Sequence, residues 1–178
     1  DKNFLISCRN TIIWVVCSLF VSLLVPLLFA ILITNSSWIA GFKNVFYFPT
    51  AISSTVGGIV IATLLSLSGL PQIFKILGID ELVCDWLAIP NVNTFIMIAT
   101  GVWQGVGLNV LLFVSGLSNI DNSPIEAAKI EGAGTIKLYW KVILPLLKPT
   151  TIVVLLMSLV NSFKVFDNIW VMTKGGPE

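Results

Sequence analysis

The sequence contains no histidine. That excludes imidazole metal ligands, Ser–His and Cys–His nucleophile pairs, and pH sensing by imidazole. Charge is scarce too. Only 11% of the 178 residues are charged, less than half of the roughly 25% carried by soluble domains. The formal net charge is +1, and no basic patch of the kind that binds nucleic acid is present. The three cysteines, Cys8, Cys17 and Cys84, have no CxxC or other metal spacing. They read as small apolar fillers rather than a disulfide framework. No GxxxxGK[ST] loop occurs, so this chain cannot cradle ATP phosphates itself. There is no low-complexity segment and no internal repeat, which argues against the inverted-repeat design of many secondary transporters. The start at Asp1 without a leader, and the end just after Gly-Gly-Pro, read as a segment of a longer protein.

What is present is apolar sequence in long blocks. Hydrophobic residues make up 56% of the chain and mean hydropathy is +0.97. A membrane-crossing helix needs about 20 mostly apolar residues. Four blocks meet that requirement, at about residues 11–33, 48–68, 94–117 and 150–172. The expected class is therefore all-α integral membrane. Pro26 is expected to kink the first block, and Lys164 and Asp167 interrupt the fourth. The breakers Gly69, Pro71, Gly78, Pro90 and Asn91 mark residues 68–93 as a loop, with one or two short interfacial helices and Trp86 at headgroup depth.

The loops set the orientation. Lys129, Lys137, Lys141 and Lys148 lie between the third and fourth blocks, with Lys43 on the same side. Lys2, Arg9, Lys75 and Lys174 lie on the other. The excess of lysine and arginine favours the side of residues 118–148 as cytoplasmic.

That side carries "SPIEAAKIEGAG", residues 123–134. Ser123 is the expected N-cap, with Pro124 at the first helical position and Glu126 closing a capping box. Gly132 and Gly134 are expected to stop the helix, giving an element at about residues 124–132. Two turns are too short to be stable alone in water, so this helix must dock on a surface, its own protein's or a partner's.

"EAAKIEGAG" followed by "YWKVILPLLKP" resembles the EAA motif of ABC importer permease subunits. The matching positions are Glu126, Ala127, Ala128, Glu131, Gly132, Ala133, Tyr139, Leu144, Pro145 and Pro149. "RNTIIW", "FKNVFYFPTAIS", "GVWQGVGLNVLLFVSGLSNI" and "SFKVFDNIWVMTKGGPE" resemble other blocks of permeases for oligosaccharides and glycerol phosphate. Glu131 stands where Asp is usual, and Ile125 where an aromatic residue or Leu is common. The resemblance implies four transmembrane helices, the second to fifth of a six-helix permease core, in a bacterial cell membrane. It implies a cytoplasmic coupling helix that docks in a cleft of an ATPase through Glu126, Ala127, Ala128, Glu131 and Gly132, with Pro145 stiffening the return. It implies no cofactor on this chain, ATP and Mg on two separate ATPase subunits, a second permease subunit and an extracytoplasmic solute-binding protein.

Polar residues inside the blocks are candidates for a substrate pathway. Ser158, Asn161 and Ser162 share one helical stripe with Val165. Thr100, Trp103, Gln104 and Gly107 form a similar stripe. Amides facing lipid are unfavourable, so both stripes should face the bundle interior. There Trp103 would stack on a sugar while amides bind hydroxyls. Lys164 and Asp167 either face each other at i, i+3 or, if the helix breaks, reach an outer vestibule. Small pairs four apart, Ser53/Gly57, Ser54/Gly58 and Gly101/Gly105, suit close helix contacts. Three other readings stay open: the same family importing a phosphorylated polyol or another solute, an ion-coupled secondary transporter with Lys164 and Asp167 as relay residues, or a non-transporting membrane scaffold.

Overall fold

The computed structural model describes residues 2–34, 41 and 46–174. Lys43 and the Gly-Gly-Pro segment lie outside the described residues. Among the described residues the regular elements are all helical, and no strand occurs. Helix α1 spans Lys2–Thr34 and begins well before the expected boundary at residue 11. Its polar start, around Arg9, simply continues the helix of the apolar run. Pro26 sits inside α1 and is fully buried.

The second apolar block differs most from expectation. Residues Phe48–Ala51 form a 3-10 turn with Pro49 in it. Ser53 then accepts from the Val56 N–H and caps α2, Ser54–Leu65. Twelve residues reach about 18 Å, short of the roughly 30 Å hydrocarbon core. Ser66 is extended, and a turn leads into α3, Leu70–Ile76. Glycine is required at position 69, because a Cβ there would collide with the carbonyl oxygens of Thr63 and Leu64. Only Ser54–Ile76 taken together is long and apolar enough to cross a membrane. A 3-10 turn at Asp80–Leu82 completes the loop, so one short helix and one turn occupy the stretch expected to be interfacial.

Helix α4, Val92–Ser118, is the centre of the bundle. Half of its apolar window is buried, against 22% for α1 and 17% for Ser54–Ile76. It packs along α1 and touches α7 and the 3-10 turn. Two apolar clusters hold this arrangement. One joins Ala30 and Ile33 of α1 with Val110, Phe113 and Val114 of α4 and Val154 of α7 (Lys148–Phe163). The other joins Trp14 with Met97, Ile98, Val102 and Met172, the last on α8, Phe166–Thr173.

Between α4 and α7 come α5, Asn122–Ile130, and α6, Thr135–Leu146. Residues Tyr139–Ile143 of α6 form a π-turn. Pro145 explains it: proline lacks an N–H and crowds the carbonyl four residues back, so the helix widens to accommodate it. Helices α6 and α7 meet at 68°, with Leu147 buried at the elbow. By length and composition, three helices can cross a membrane, or four if this bent pair is one span. The fourth apolar block is thus not one helix. It is α7 and α8, broken at Lys164–Val165.

Candidate functional site

A cavity of about 320 Å³ opens in the bundle, walled by α1, the 3-10 turn, α2, α4, α7 and α8. The expected residues Gln104, Ser158, Asn161, Ser162 and Asp167 all line it. So does Val165, the fourth member of the α7 stripe. Gln104, Ser158 and Ser162 are buried, whereas Asn161, Lys164 and Asp167 are exposed on the open side. The break between α7 and α8 puts Lys164 and Asp167 there, and no ion pair joins them among the described residues.

Trp103 is a correction. It faces away from the polar cavity and lines a separate apolar groove with Val21, Phe29, Phe46 and Phe95. On α4 the cavity is lined by Ile98, Gly101, Val102, Gln104, Gly105, Leu108 and Asn109, and Trp103 lies just beyond the edge of that face. The aromatic residue at the cavity is the buried Trp14 of α1. Thr100 is buried too and donates to the Ile96 carbonyl at 2.9 Å within its own helix.

The cavity walls are tied together by side-chain hydrogen bonds that cross between elements. Gln104, near the middle of α4, donates from Nε2 to the Ser53 carbonyl at 3.3 Å. Thr50 donates to the Gln104 carbonyl at 3.0 Å. Ser54 Oγ lies 3.2 Å from Asn168 Oδ1 and 3.5 Å from Gln104 Oε1. Asn109 Nδ2 donates to the Ser22 carbonyl at 3.1 Å and lies 3.2 Å from Ser158 Oγ, joining α1, α4 and α7. Asn109, Asn168 and Ser54 were not among the sequence candidates. The rule that selected Gln104, that an amide in an apolar helix avoids lipid, applies equally to Asn109 and Asn168.

The small residues divide into two kinds. A Cβ at Gly57 would collide with the Gln104 amide, and one at Gly107 with the Phe46 carbonyl; these are close contacts between elements. Gly58 and Gly101 have ordinary contacts with Asn168. Gly105, expected to be a packing residue, faces open space and lines the cavity.

The polar helix α5 begins two residues earlier than expected. Asp121, not Ser123, is its N-cap. Asp121 Oδ1 accepts from both the Ser123 N–H and the Ser123 hydroxyl, each at 3.0 Å. Those two hydrogen bonds hold its carboxyl below the usual aspartate range. A carboxylate is a stronger acceptor than a hydroxyl, so it takes the cap from Ser123. Pro124 falls at the third helical position, still among the N–H groups that lack helical acceptors. Glu126 is then too far along to close a capping box.

At the other end, Gly132 has φ +79. The Ala133 N–H reaches the Ala128 carbonyl at 2.9 Å and the Gly132 N–H reaches Lys129 at 3.0 Å, the paired bonds of a Schellman stop. Gly134 does not stop α5; it precedes α6 in extended conformation.

Helix α5 has two faces. Ile125 and Ala128 pack against the cluster of Leu138, Ile143 and Leu147. Glu126, Ala127, Lys129, Ile130, Glu131 and Gly132 are exposed. Ala128 therefore seats α5 on its own chain, while Ala127 faces outward. Pro145 is exposed on α6. Among the described residues no group of Cys, Asp and Glu is arranged to hold a metal ion.

Residues 7–168 match the family described as the binding-protein-dependent transport system inner membrane component. The chain belongs to this family. A probable ABC transporter permease protein of Pyrococcus horikoshii is 32% identical over 173 residues, covering 94% of this chain and 59% of the relative. The arabinooligosaccharides transport system permease protein AraP of Bacillus subtilis is 31% identical over 179 residues, covering 97% of this chain and 56% of AraP. The chain thus spans less than two thirds of the length of these permeases. The crystal structure of a bacterial ABC transporter involved in the import of the acidic polysaccharide alginate shares the fold, with TM-score 0.83 at 22% identity, over 97% of this chain and 62% of that one.

Proposed function

We propose that this permease segment walls the solute pathway of an ATP-driven importer for a sugar, and that α5 is its coupling helix. The observation that carries the reading is the cavity. Uncharged polar side chains from α1, α2, α4, α7 and α8 converge on it inside an otherwise apolar bundle. Amides and hydroxyls supply both donors and acceptors, which suits the hydroxyls of a saccharide. Trp14 supplies the aromatic surface that Trp103 does not. The name of AraP points to the same substrate class.

The exposed face of α5, with Glu126, Ala127, Glu131 and Gly132, would insert into a cleft of a cytoplasmic ATPase. Ala128 and Ile125 fix it to α6, whose Pro145 and π-turn lead into α7, a wall of the cavity. Movement of α5 would then reach the cavity through one continuous segment. The complete assembly would contain a second permease subunit, two ATPases holding ATP and Mg, and an extracytoplasmic solute-binding protein, with the α5 side cytoplasmic.

The test is uptake of labelled oligosaccharides by the full-length permease reconstituted with its ATPase and solute-binding subunits. Uptake should require ATP, survive an uncoupler, and weaken with Asn161→Ala or Asp167→Asn. Uptake that collapses with the uncoupler and ignores ATPase poisoning would instead establish an ion-coupled transporter.

A further inference from the structure

Helix α6 presents a face that the proposed function does not use. Leu138 and Ile143 bury one side of it. On the other side Ile136 is 78% and Trp140 71% exposed. They are four residues apart and so lie on one stripe. Lys137 and Lys141 flank the stripe, and Lys148 follows at the elbow; all three are exposed. No acidic residue occurs in the sequence between Glu131 and Asp167, so this part of the chain is cationic.

The bend sets the tilt of the helix that carries the stripe. Helix α7 is a wall of the bundle, and α6 leaves it at 68°. With α7 continued by α8, rather than α7 alone, as the leg that crosses the bilayer, α6 stands at 68° to α7 and lies much closer to the membrane plane than to its normal. A helix in that attitude, with an exposed Ile–Trp stripe bordered by lysines, has the make-up of an interfacial amphipathic segment. Tryptophan favours headgroup depth, and long lysine side chains reach from there to phosphates.

We infer that α6 lies in the membrane surface on the α5 side and binds anionic phospholipid. Ile136 and Trp140 enter the acyl boundary, and Lys137, Lys141 and Lys148 meet headgroup phosphates. Because Ile125 and Ala128 of α5 rest on the buried side of α6, the bilayer surface then supports the seat of α5. The inference rests on membership of the membrane family and holds whatever the solute.

The test uses the full-length permease in nanodiscs of phosphatidylcholine, with or without phosphatidylglycerol, in which one lipid at a time carries bromine close to its headgroup. Subtracting the fluorescence of Trp140→Phe isolates Trp140. Its emission should be quenched by the brominated lipid, and more strongly when phosphatidylglycerol carries the bromine. Changing the three lysines to glutamine should keep the quenching and erase that preference, by about fivefold per lysine removed. A second probe, Ile136→Trp in the Trp140→Phe background, should behave alike. Emission that ignores lipid bromine and yields to aqueous acrylamide would overturn the inference. So would shielding that appears only when ATPase subunits are added, which would make the face a protein interface. Equal quenching by the two lipids would overturn the anionic assignment.

Discussion

The cavity and α5 both depend on polar hydrogen bonds, but to opposite ends. In the cavity, Gln104, Asn109 and Asn168 are buried and bonded across distances of 49 to 114 residues in sequence. In α5 the polar groups are exposed and bonded to neighbours, Asp121 to Ser123 and Gly132 to Lys129. The cavity is thus held by non-local bonds that set where the walls stand. Helix α5 is defined by local bonds and takes its position from two apolar contacts, Ile125 and Ala128. One region should respond to substitution through bundle stability, the other through coupling with little change in the bundle.

The largest effect expected on the α5 side comes from Gly132→Asp. The left-handed conformation costs a non-glycine residue about 1–2 kcal/mol, and nothing lies within 4 Å of the added Cβ. The bundle should stay intact and membrane-inserted while ATPase co-purification and uptake are lost. Normal co-purification with normal uptake would remove α5 from the coupling path.

The cavity side offers a paired test at two glycines. Gly105 faces open space, so Gly105→Leu should block uptake while thermal stability changes by no more than about 0.5 kcal/mol. Gly107 meets the Phe46 carbonyl, so Gly107→Leu should destabilise the detergent-solubilised protein by about 1–3 kcal/mol or more. Equal stability losses at the two sites would break the distinction between a wall that is open and one that is closed.

Asn109→Ala should have a smaller effect. Interhelical hydrogen bonds in membranes average about 0.6 kcal/mol and reach about 1.7. Losing the bonds to Ser22 and Ser158 should therefore cost about 1 kcal/mol, read as a lowered unfolding midpoint. Ser158→Ala should recover part of the loss when combined with it, because the hydroxyl no longer lacks its partner.

The contrast also explains what the sequence made legible. The apolar blocks, the stop at Gly132, the break at Lys164 and the α7 stripe depend on composition or on spacing within one turn. Those are local facts, and Gln104, Ser158, Asn161 and Ser162 do meet at one cavity. Helical phase does not say which neighbour a face meets, so the Trp103–Gln104 stripe divides between the apolar groove and the cavity. For the same reason a small residue can mean close contact, as at Gly107, or open space, as at Gly105. The turn at Ser66–Gly69 opens the stretch that the breakers Gly69 and Pro71 mark as a loop, whereas the 3-10 turn at Phe48–Ala51 hides inside an apolar run, where hydropathy reads straight through it. Ser-Pro-x-Glu is itself a good start signal and masks Asp121, and two competing caps two residues apart are decided by acceptor strength.

The smallest expected effect tests that choice of cap directly. Asp121 is held below the usual aspartate range by its bonds from Ser123. A group whose carboxyl is lowered in the folded state contributes stability that is full above its unfolded value, about 4. That contribution is lost as pH falls through the lower, folded value. Near neutrality the cap is therefore fully formed, and only acid should loosen the first turn of α5. Asn caps about as well as Asp but does not titrate. Amide exchange at Ile125, Glu126 and Ala127, taken as a ratio of wild type to Asp121→Asn at each pH, cancels the intrinsic pH dependence of exchange. The ratio should stay flat near neutrality and rise only below about pH 4. Ser123→Ala should leave the backbone bond to Asp121 in place and change exchange less than Asp121→Ala does. If Ser123→Ala loosened the turn more than Asp121→Ala, the cap would belong to Ser123, and α5 would start at Pro124.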